Sequence, residues 1–136
     1  MTDDASVVPA DAEIVLDPGE GLGRAVAAGL AAVHEHALVV NADLPAATPA
    51  ALHRLAAAGL ALVEGADGTT NALSLPDPGV YAALYGPGSA ERFRAHAGFA
   101  TVRIPELELD VDSDADLERL DARIGPRTRA LLAVPA

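Results

Sequence analysis

The chain has 136 residues, which is the length of a single domain. Its nine basic residues are all arginine and face 20 acidic ones, and the resulting net charge of −11 argues against a nucleic-acid-binding protein or one that docks on anionic lipid. Cysteine is absent, which excludes disulfides and thiolate metal sites. The sequence shows neither a signal-peptide pattern nor an apolar run of about 18 residues, so we expect a cytoplasmic protein.

The first half of the chain alternates strand and helix patterns. Short apolar runs predict three strands, of which the second and third are expected to be buried, at 13–16, 37–40 and 60–63. Apolar residues at helical spacing predict two intervening helices, at 21–34 and 48–59. Thr48 supplies an N-cap to the second helix, with Pro49 at its first position. With short connections, this order predicts a parallel α/β sheet with helices on its faces.

The second half is less regular. Its predicted elements begin with a loop at 65–68, a strand at 71–75, a turn at 76–79, one or two helical turns at 81–85 and a break at 86–88. A helix at 89–96 and a strand at 101–104 follow. The chain then forms a helix capped by Ser113, with Leu117, Leu120 and Ile124 on its buried face, and a last helical turn at 127–133.

Two groups of carboxylates stand where a cation site can form. Asp43 directly follows the strand at 37–40, and ligands of open parallel sheets lie beyond the carboxyl ends of strands. Asp110 and Asp112 alternate on an extended segment and therefore share one side of it, where they repel each other unless a cation intervenes. The alternatives are a turn beginning at Asp43 and an acidic helix start after Ser113, although a helix start explains Asp110 poorly.

Glycine and hydroxyl residues form two turns that can hold an anion, Gly68-Thr69-Thr70-Asn71 and Tyr85-Gly86-Pro87-Gly88-Ser89. Arg92 and Arg94 follow within the next helix, and the alternative is a pair of ordinary turns with Ser89 as an N-cap. A further glycine-rich turn at 19–24 is not a dinucleotide fingerprint, because Arg24 replaces its last glycine and Glu20 would repel a pyrophosphate.

In combination these motifs resemble one family. The segments that carry the resemblance occur in the order Asn41-Ala42-Asp43-Leu44-Pro45, Asp67-Gly68-Thr69-Thr70-Asn71-Ala72-Leu73, Tyr85-Gly86-Pro87-Gly88-Ser89, Leu109-Asp110-Val111-Asp112 and Gly125-Pro126-Arg127-Thr128. The chain is similar to the 2-phospho-L-lactate or phosphoenolpyruvate guanylyltransferases, which supply the activated precursor of coenzyme F420. The resemblance implies a single nucleotidyltransferase domain over 1–136, with the three-layer, mostly parallel sheet of the nucleotide-diphospho-sugar transferase type.

The resemblance also implies the roles of the site residues. Asp43, Asp110 and Asp112 would hold Mg²⁺ on the phosphates of GTP, with Asp43 also catalytic. The acceptor acid would bind Thr70, Gly86, Ser89 and Arg92, with Thr69 replacing Thr70 if the register differs by one. The nucleotide would bind Gly21 and Gly23. A homo-oligomer or a complex with the downstream enzyme of the pathway is left open.

The sequence departs from the family pattern in three places. Gly23 replaces a frequent Asn, Phe93 replaces a frequent His, and Met1–Asp4 look like the segment after the family's second strand. We therefore expect a domain without its N-terminal third, which would be marginally stable, aggregation-prone or partner-dependent and inactive alone. The alternative functions are an inactive or partner-dependent remnant of such an enzyme and a molybdopterin-type nucleotidyltransferase. Phosphoenolpyruvate and phospholactate cannot be distinguished from the sequence.

Overall fold

A computed structural model of the chain describes residues 12–120 and 124–133. It contains helices and a four-stranded sheet. The elements are α1 (Leu22–Leu30), β1 (Ala37–Val40), α2 (Pro49–Ala57), β2 (Ala61–Glu64), β3 (Thr70–Leu75), a 3₁₀ turn (Pro78–Val80), α3 (Ser89–Ala97), β4 (Ala100–Thr101), α4 (Asp114–Leu120) and α5 (Pro126–Leu132). No helix in the described ranges is long and apolar enough to cross a membrane. The expectation for Met1–Asp4 lies outside the described residues.

The sheet has the strand order β1-β3-β2-β4 and is mixed rather than mostly parallel. β3 runs antiparallel to both β1 and β2, whereas β4 is parallel to β2. The short connection at 65–69 explains this arrangement, because a parallel neighbour needs a crossover of about a dozen residues. The α/β class is thus confirmed, and a mostly parallel sheet is not confirmed.

Both faces of the sheet are covered by helices. On one face, Ala51 and Leu55 of α2 pack against side chains of β2 and β3. On the other face, Phe93 of α3 packs against a cluster that includes Leu62 and Leu73. Neighbouring residues of β2 belong to different clusters because side chains alternate across a strand. All six residues of β3 are buried, so β3 is the centre of the core.

The N-terminal elements are more exposed than the sequence pattern suggests. The strand predicted at 13–16 is wrong, because these residues form no ladder and Leu16 is 85% exposed. A short apolar run becomes a strand only where it pairs with a neighbouring strand, and this run pairs with none among the described residues. β1 is half-buried and lies at the edge of the sheet, and α1 has no buried residue.

The remaining predicted elements are largely confirmed. Thr48 caps α2 as expected, since its Oγ1 accepts a hydrogen bond of 3.1 Å from the amide of Ala51. The helical turns predicted at 81–85 are wrong, because these residues form no helix. The carbonyls of Leu84 and Tyr85 accept hydrogen bonds from the guanidinium of Arg92 instead. The predicted strand at 101–104 is shorter, although the amide of Val102 still donates to the carbonyl of Leu62 beyond the end of β4.

Candidate active site

Three carboxylates from two distant segments converge. Asp43 follows β1, while Asp110 and Asp112 lie in the segment between β4 and α4. Each residue has a carboxylate oxygen within 4.8 Å of one on each of the others. The two segments are joined directly, because the amide of Val111 donates a hydrogen bond of 3.1 Å to the carbonyl of Asp43. The family resemblance implies that these three residues form one site, and the structure brings them together.

The negative charges of the three carboxylates repel one another. Burial raises the pKa of the Asp110 carboxyl above its ordinary value, and the negative charges of Asp112, Asp43 and Asp67 raise the pKa further. Hydrogen bonds from the side chain and amide of Thr69 hold the pKa of Asp67 below its ordinary value, so this neighbour stays ionised. A cation between the carboxylates would relieve this repulsion.

The donor set fits a hard divalent cation. The cluster offers carboxylate oxygens, which Mg²⁺ and Ca²⁺ prefer to nitrogen or sulfur. Asp43 and Asp112 are exposed and Asp110 is half-buried, so a cation can reach the carboxylates from solvent while keeping some of its water. The chemistry of the three residues is therefore compatible with the magnesium site expected from the sequence.

The two predicted acceptor hydroxyls also meet. The hydroxyl of Ser89 donates a hydrogen bond of 3.0 Å to Oγ1 of Thr70, and both side chains are fully buried. The hydroxyl of Thr69 donates to Asp67 instead, and the alternative that Thr69 replaces Thr70 at the acceptor stays a prediction. The pair thus joins the start of β3 to the start of α3. A ligand of either hydroxyl must displace this bond or share it.

Arg92 lies beside the predicted acceptor turn and stabilises its backbone. Its guanidinium donates to the carbonyls of Leu84, Tyr85 and Pro87. Gly86 and Gly88 both have positive φ, and a Cβ on either glycine would come within 3.7 Å of the guanidinium. Arg92 therefore holds the conformation of the turn in this structure, and its predicted contact with the acceptor stays a prediction.

The predicted nucleotide-binding and acceptor-binding glycines share one cleft. Gly21, Gly23, Gly86 and Tyr85 line a cleft of about 450 Å³. A second cleft of about 450 Å³ is lined by Asp43 together with apolar residues of β1 and α1. Leu22 lines both clefts, so they adjoin at the first turn of α1. The cleft that contains Asp43 and the cleft that contains these glycines are therefore neighbours.

Two of the three departures from the family pattern, Gly23 and Phe93, have structural roles. Gly23 is required for close packing, because a Cβ there would lie 3.0 Å from the Cβ of Ala83 and 3.1 Å from its backbone. The Gly23 carbonyl also accepts a 2.9 Å hydrogen bond from the hydroxyl of Tyr81. Phe93 is fully buried and forms ring contacts with Tyr81, Tyr85 and Phe99.

Sequence reasoning missed two residues near the site. Asn71 has no predicted role in the site, yet it is fully buried and its side chain contacts the segment that carries Asp110. The hydroxyl of Tyr85 is buried without a hydrogen-bond partner among the described residues, and burial raises its pKa well above the ordinary tyrosine value. The available signal for Asn71 was a polar side chain beside the buried run of Ala72 and Leu73.

Comparison with known proteins gives consistent names. No protein-family model matches the chain. The phosphoenolpyruvate guanylyltransferase of Thermomonospora curvata is 38% identical over 143 aligned residues, covering 95% of this chain and 60% of the relative. The enzyme of the same name from Streptomyces coelicolor is 36% identical over 152 aligned residues, covering 98% and 71% respectively. A 2-phospho-L-lactate guanylyltransferase from Methanocorpusculum labreanum is 35% identical over 111 residues, covering 74% and 51%. The chain thus spans between half and three quarters of the length of these relatives.

Proposed function

Because the chain belongs to the family of phosphoenolpyruvate and 2-phospho-L-lactate guanylyltransferases, we propose that it serves the transfer of GMP from GTP to one of these two acids. In this reaction a phosphate oxygen of the acid bonds to the α-phosphorus of GTP. The bond from that phosphorus to the bridging oxygen breaks, and pyrophosphate leaves. The product would be the activated precursor for coenzyme F420. Proteins related to this chain carry both acceptor names, which supports either acid as the acceptor.

The convergence of Asp43, Asp110 and Asp112 is the observation that carries the proposal. These three residues would hold Mg²⁺, which when bound neutralises charge on the triphosphate and favours in-line attack. Asp43 follows β1 directly and lines the adjoining cleft, so its carboxylate can orient the α-phosphate there. No nucleophilic side chain is needed, because the acceptor provides the attacking oxygen.

The acceptor acid would bind where β3 meets α3. Thr70 and Ser89 provide two hydroxyls at this junction, and Gly86 lines the cleft that also contains Gly21 and Gly23. In the proposed complex the hydroxyls exchange their mutual hydrogen bond for bonds to the phosphate or carboxylate of the acid. The nucleotide would then lie along the first turn of α1, between this cleft and the carboxylates.

A partner-dependent form of the same enzyme is the second candidate, and the arginines favour it. All seven arginines whose side chains the structure describes contact a carboxylate or a backbone carbonyl, namely Arg24, Arg54, Arg92, Arg94, Arg103, Arg119 and Arg129. A triphosphate is usually bound by several cations that are free to contact it. In this candidate, another polypeptide supplies those cations.

Pyrophosphate release from the purified chain tests both candidates. The assay uses Mg²⁺ and each nucleoside triphosphate, with phosphoenolpyruvate or 2-phospho-L-lactate. The first candidate expects release by the chain alone with GTP and one of the acids, whereas the partner-dependent form expects none. In any form that turns over, Asp43→Asn should lower turnover at least tenfold, because a carboxylate on Mg²⁺ contributes several kcal/mol of charge stabilisation. Asp114→Asn is the matched control, since it removes an acidic side chain outside the cluster.

The outcomes separate the candidates. Turnover by the chain alone would contradict the partner-dependent form and the expectation of inactivity. Binding of the acid without turnover would support the partner-dependent form. Release with CTP instead of GTP would overturn the assignment of GTP, and release with neither acid would leave the molybdopterin-type enzyme as the alternative. Unchanged turnover in Asp43→Asn would remove Asp43 from the site.

A further inference from the structure

Asn71 connects the two segments that carry the carboxylates. Its backbone carbonyl accepts a hydrogen bond of 3.0 Å from the amide of Asn41, two residues before Asp43. Its side-chain Nδ2 donates a hydrogen bond of 3.2 Å to the carbonyl of Leu107, three residues before Asp110. One residue of the central strand therefore contacts both segments of the carboxylate cluster.

The segment that carries Asp110 needs such an attachment. Between β4 and α4 the chain has no helix or strand over 102–113, so its position depends on individual contacts. The side chain of Leu107 is fully buried, and its amide bonds locally to the carbonyl of Ile104. Among the hydrogen bonds of the described residues, the one from Asn71 is the link from this segment to β3.

The side-chain oxygen of Asn71 indicates that an asparagine at this position destabilises the core. Its Oδ1 is buried and has no hydrogen-bond partner among the described residues. A buried amide oxygen without a partner destabilises a fold, and leucine would fill a similar volume without that penalty. Packing alone therefore does not explain an asparagine here. Its amide N–H supplies what leucine lacks, a donor for the carbonyl of Leu107.

We propose that Asn71 is a positioning residue that sets the separation of Asp43 from Asp110 and Asp112 and thereby the affinity of this site for a divalent cation. The role of that cation in catalysis rests on the proposed function, whereas the mechanical link from Asn71 to the segment does not. Removing the Nδ2 donor should let residues 107–112 move away from Asp43. The bond from the Val111 amide to the Asp43 carbonyl would then open more often.

Two measurements on Asn71→Leu test the proposal. The first is Mn²⁺ affinity without nucleotide, followed by the electron paramagnetic resonance signal of free Mn²⁺. We expect a loss of about tenfold, as is typical when a residue that orients metal ligands is removed. The second is hydrogen exchange at the Val111 amide, which requires no metal and should accelerate. Amides of β2 should keep their protection.

A control and a double variant separate positioning from a general structural role. Ser74→Ala also removes a buried polar group from β3, one that bonds to His36, and should change neither measurement. In an Asp110→Asn background, Asn71→Leu should cause little further loss of Mn²⁺ affinity, because both changes act through the same ligand. If Asn71→Leu does not fold, both measurements are made on Asn71→Ser, which also removes the Nδ2 donor and has a shorter side chain.

Each outcome decides a different claim. Faster exchange at Val111 together with weaker Mn²⁺ binding supports the proposal. Unchanged exchange and unchanged affinity in a folded Asn71→Leu overturn it, as does an equal effect of Ser74→Ala. If the native chain binds no Mn²⁺, or if the Asp43→Asn variant binds Mn²⁺ as tightly as the native chain does, the metal site of the proposed function is wrong. An unchanged exchange rate at Val111 in that case also overturns the role of Asn71.

Discussion

Replacing Asp110 with asparagine should stabilise the folded chain when no divalent cation is present. The reason is the repulsion within the cluster, where the three residues bring carboxylate oxygens within 4.8 Å of one another. Two unit charges at this separation in water repel by about 0.9 kcal/mol. Asp110→Asn removes two such repulsions, and salt at about 0.15 M screens part of each. A gain of about 1 kcal/mol in the free energy of unfolding follows, or roughly 4 °C in Tm.

The gain should depend on pH with a definite sign. Because the pKa of Asp110 is raised in the folded state, the folded chain binds a proton more readily than the unfolded chain. The penalty from ionised Asp110 is therefore complete only well above the raised pKa. It is relieved as the pH falls through the raised pKa, and below the ordinary value of 3.8 it is gone. The advantage of Asp110→Asn should shrink in the same range.

Urea unfolding followed by circular dichroism, with and without Mg²⁺, provides the assay. Mg²⁺ should stabilise the native chain by binding its folded state, and it should stabilise the Asp110→Asn variant less. With Mg²⁺, the free energies of unfolding of the two chains should therefore become equal, or the native chain should become the more stable one. Asp114→Asn serves as a control and should bring no gain, because an acidic residue in the first turn of α4 favours that helix. If Asp110→Asn is less stable than the native chain without metal, or if Mg²⁺ stabilises both equally, the reasoning is refuted.

Three further predictions concern the surroundings of the site. Ser89→Ala should raise the KM for the acceptor acid more than that for GTP, whereas Thr69→Val should affect the two similarly; an effect of Ser89→Ala on GTP alone would contradict the assigned acceptor pocket. Gly23→Ala should lower the free energy of unfolding by about 1 to 3 kcal/mol in a urea titration, because the added methyl lies 3.0 Å from the side chain of Ala83. Leu16→Glu should reduce concentration-dependent association in analytical ultracentrifugation, because Leu16 is an apolar side chain that is 85% exposed, and equal association of both chains would exclude this side chain from the contact.

Much of the secondary structure could be predicted because its signals are local. The Thr48-Pro49 cap specifies the start of α2 from two adjacent residues, and the capping bond forms as expected. The apolar runs at 61–63 and 72–73 become buried strand residues, since a run without charge has few stable places other than a core. The apolar run at 13–16 carries a similar signal but forms no strand, because a strand also needs a neighbouring strand with which it can pair in register.

The orientation of the strands could not be taken from the alternating pattern alone. β3 is antiparallel because only five residues separate it from β2, a constraint of loop length that the prediction of a parallel sheet did not use. β1 has the composition of a buried strand but lies at the edge of the described sheet. The apolar composition of a strand predicts that burial would stabilise it, whereas the elements that pack beside the strand determine how much of it is buried.

The identity of the carboxylates was determined by the sequence itself, since Asp43 follows a strand and Asp110 and Asp112 alternate on an extended segment. Their meeting was decided only by the tertiary structure, because the two segments lie far apart in the chain and are brought together by contacts to β3 and by the bond from Val111 to Asp43. The same holds for Asn71, whose single amide donor acquires its meaning from a carbonyl 36 residues away. A local pattern specifies which chemical groups are present and on which element they stand, whereas the distances between groups on separate elements follow from how the whole core packs.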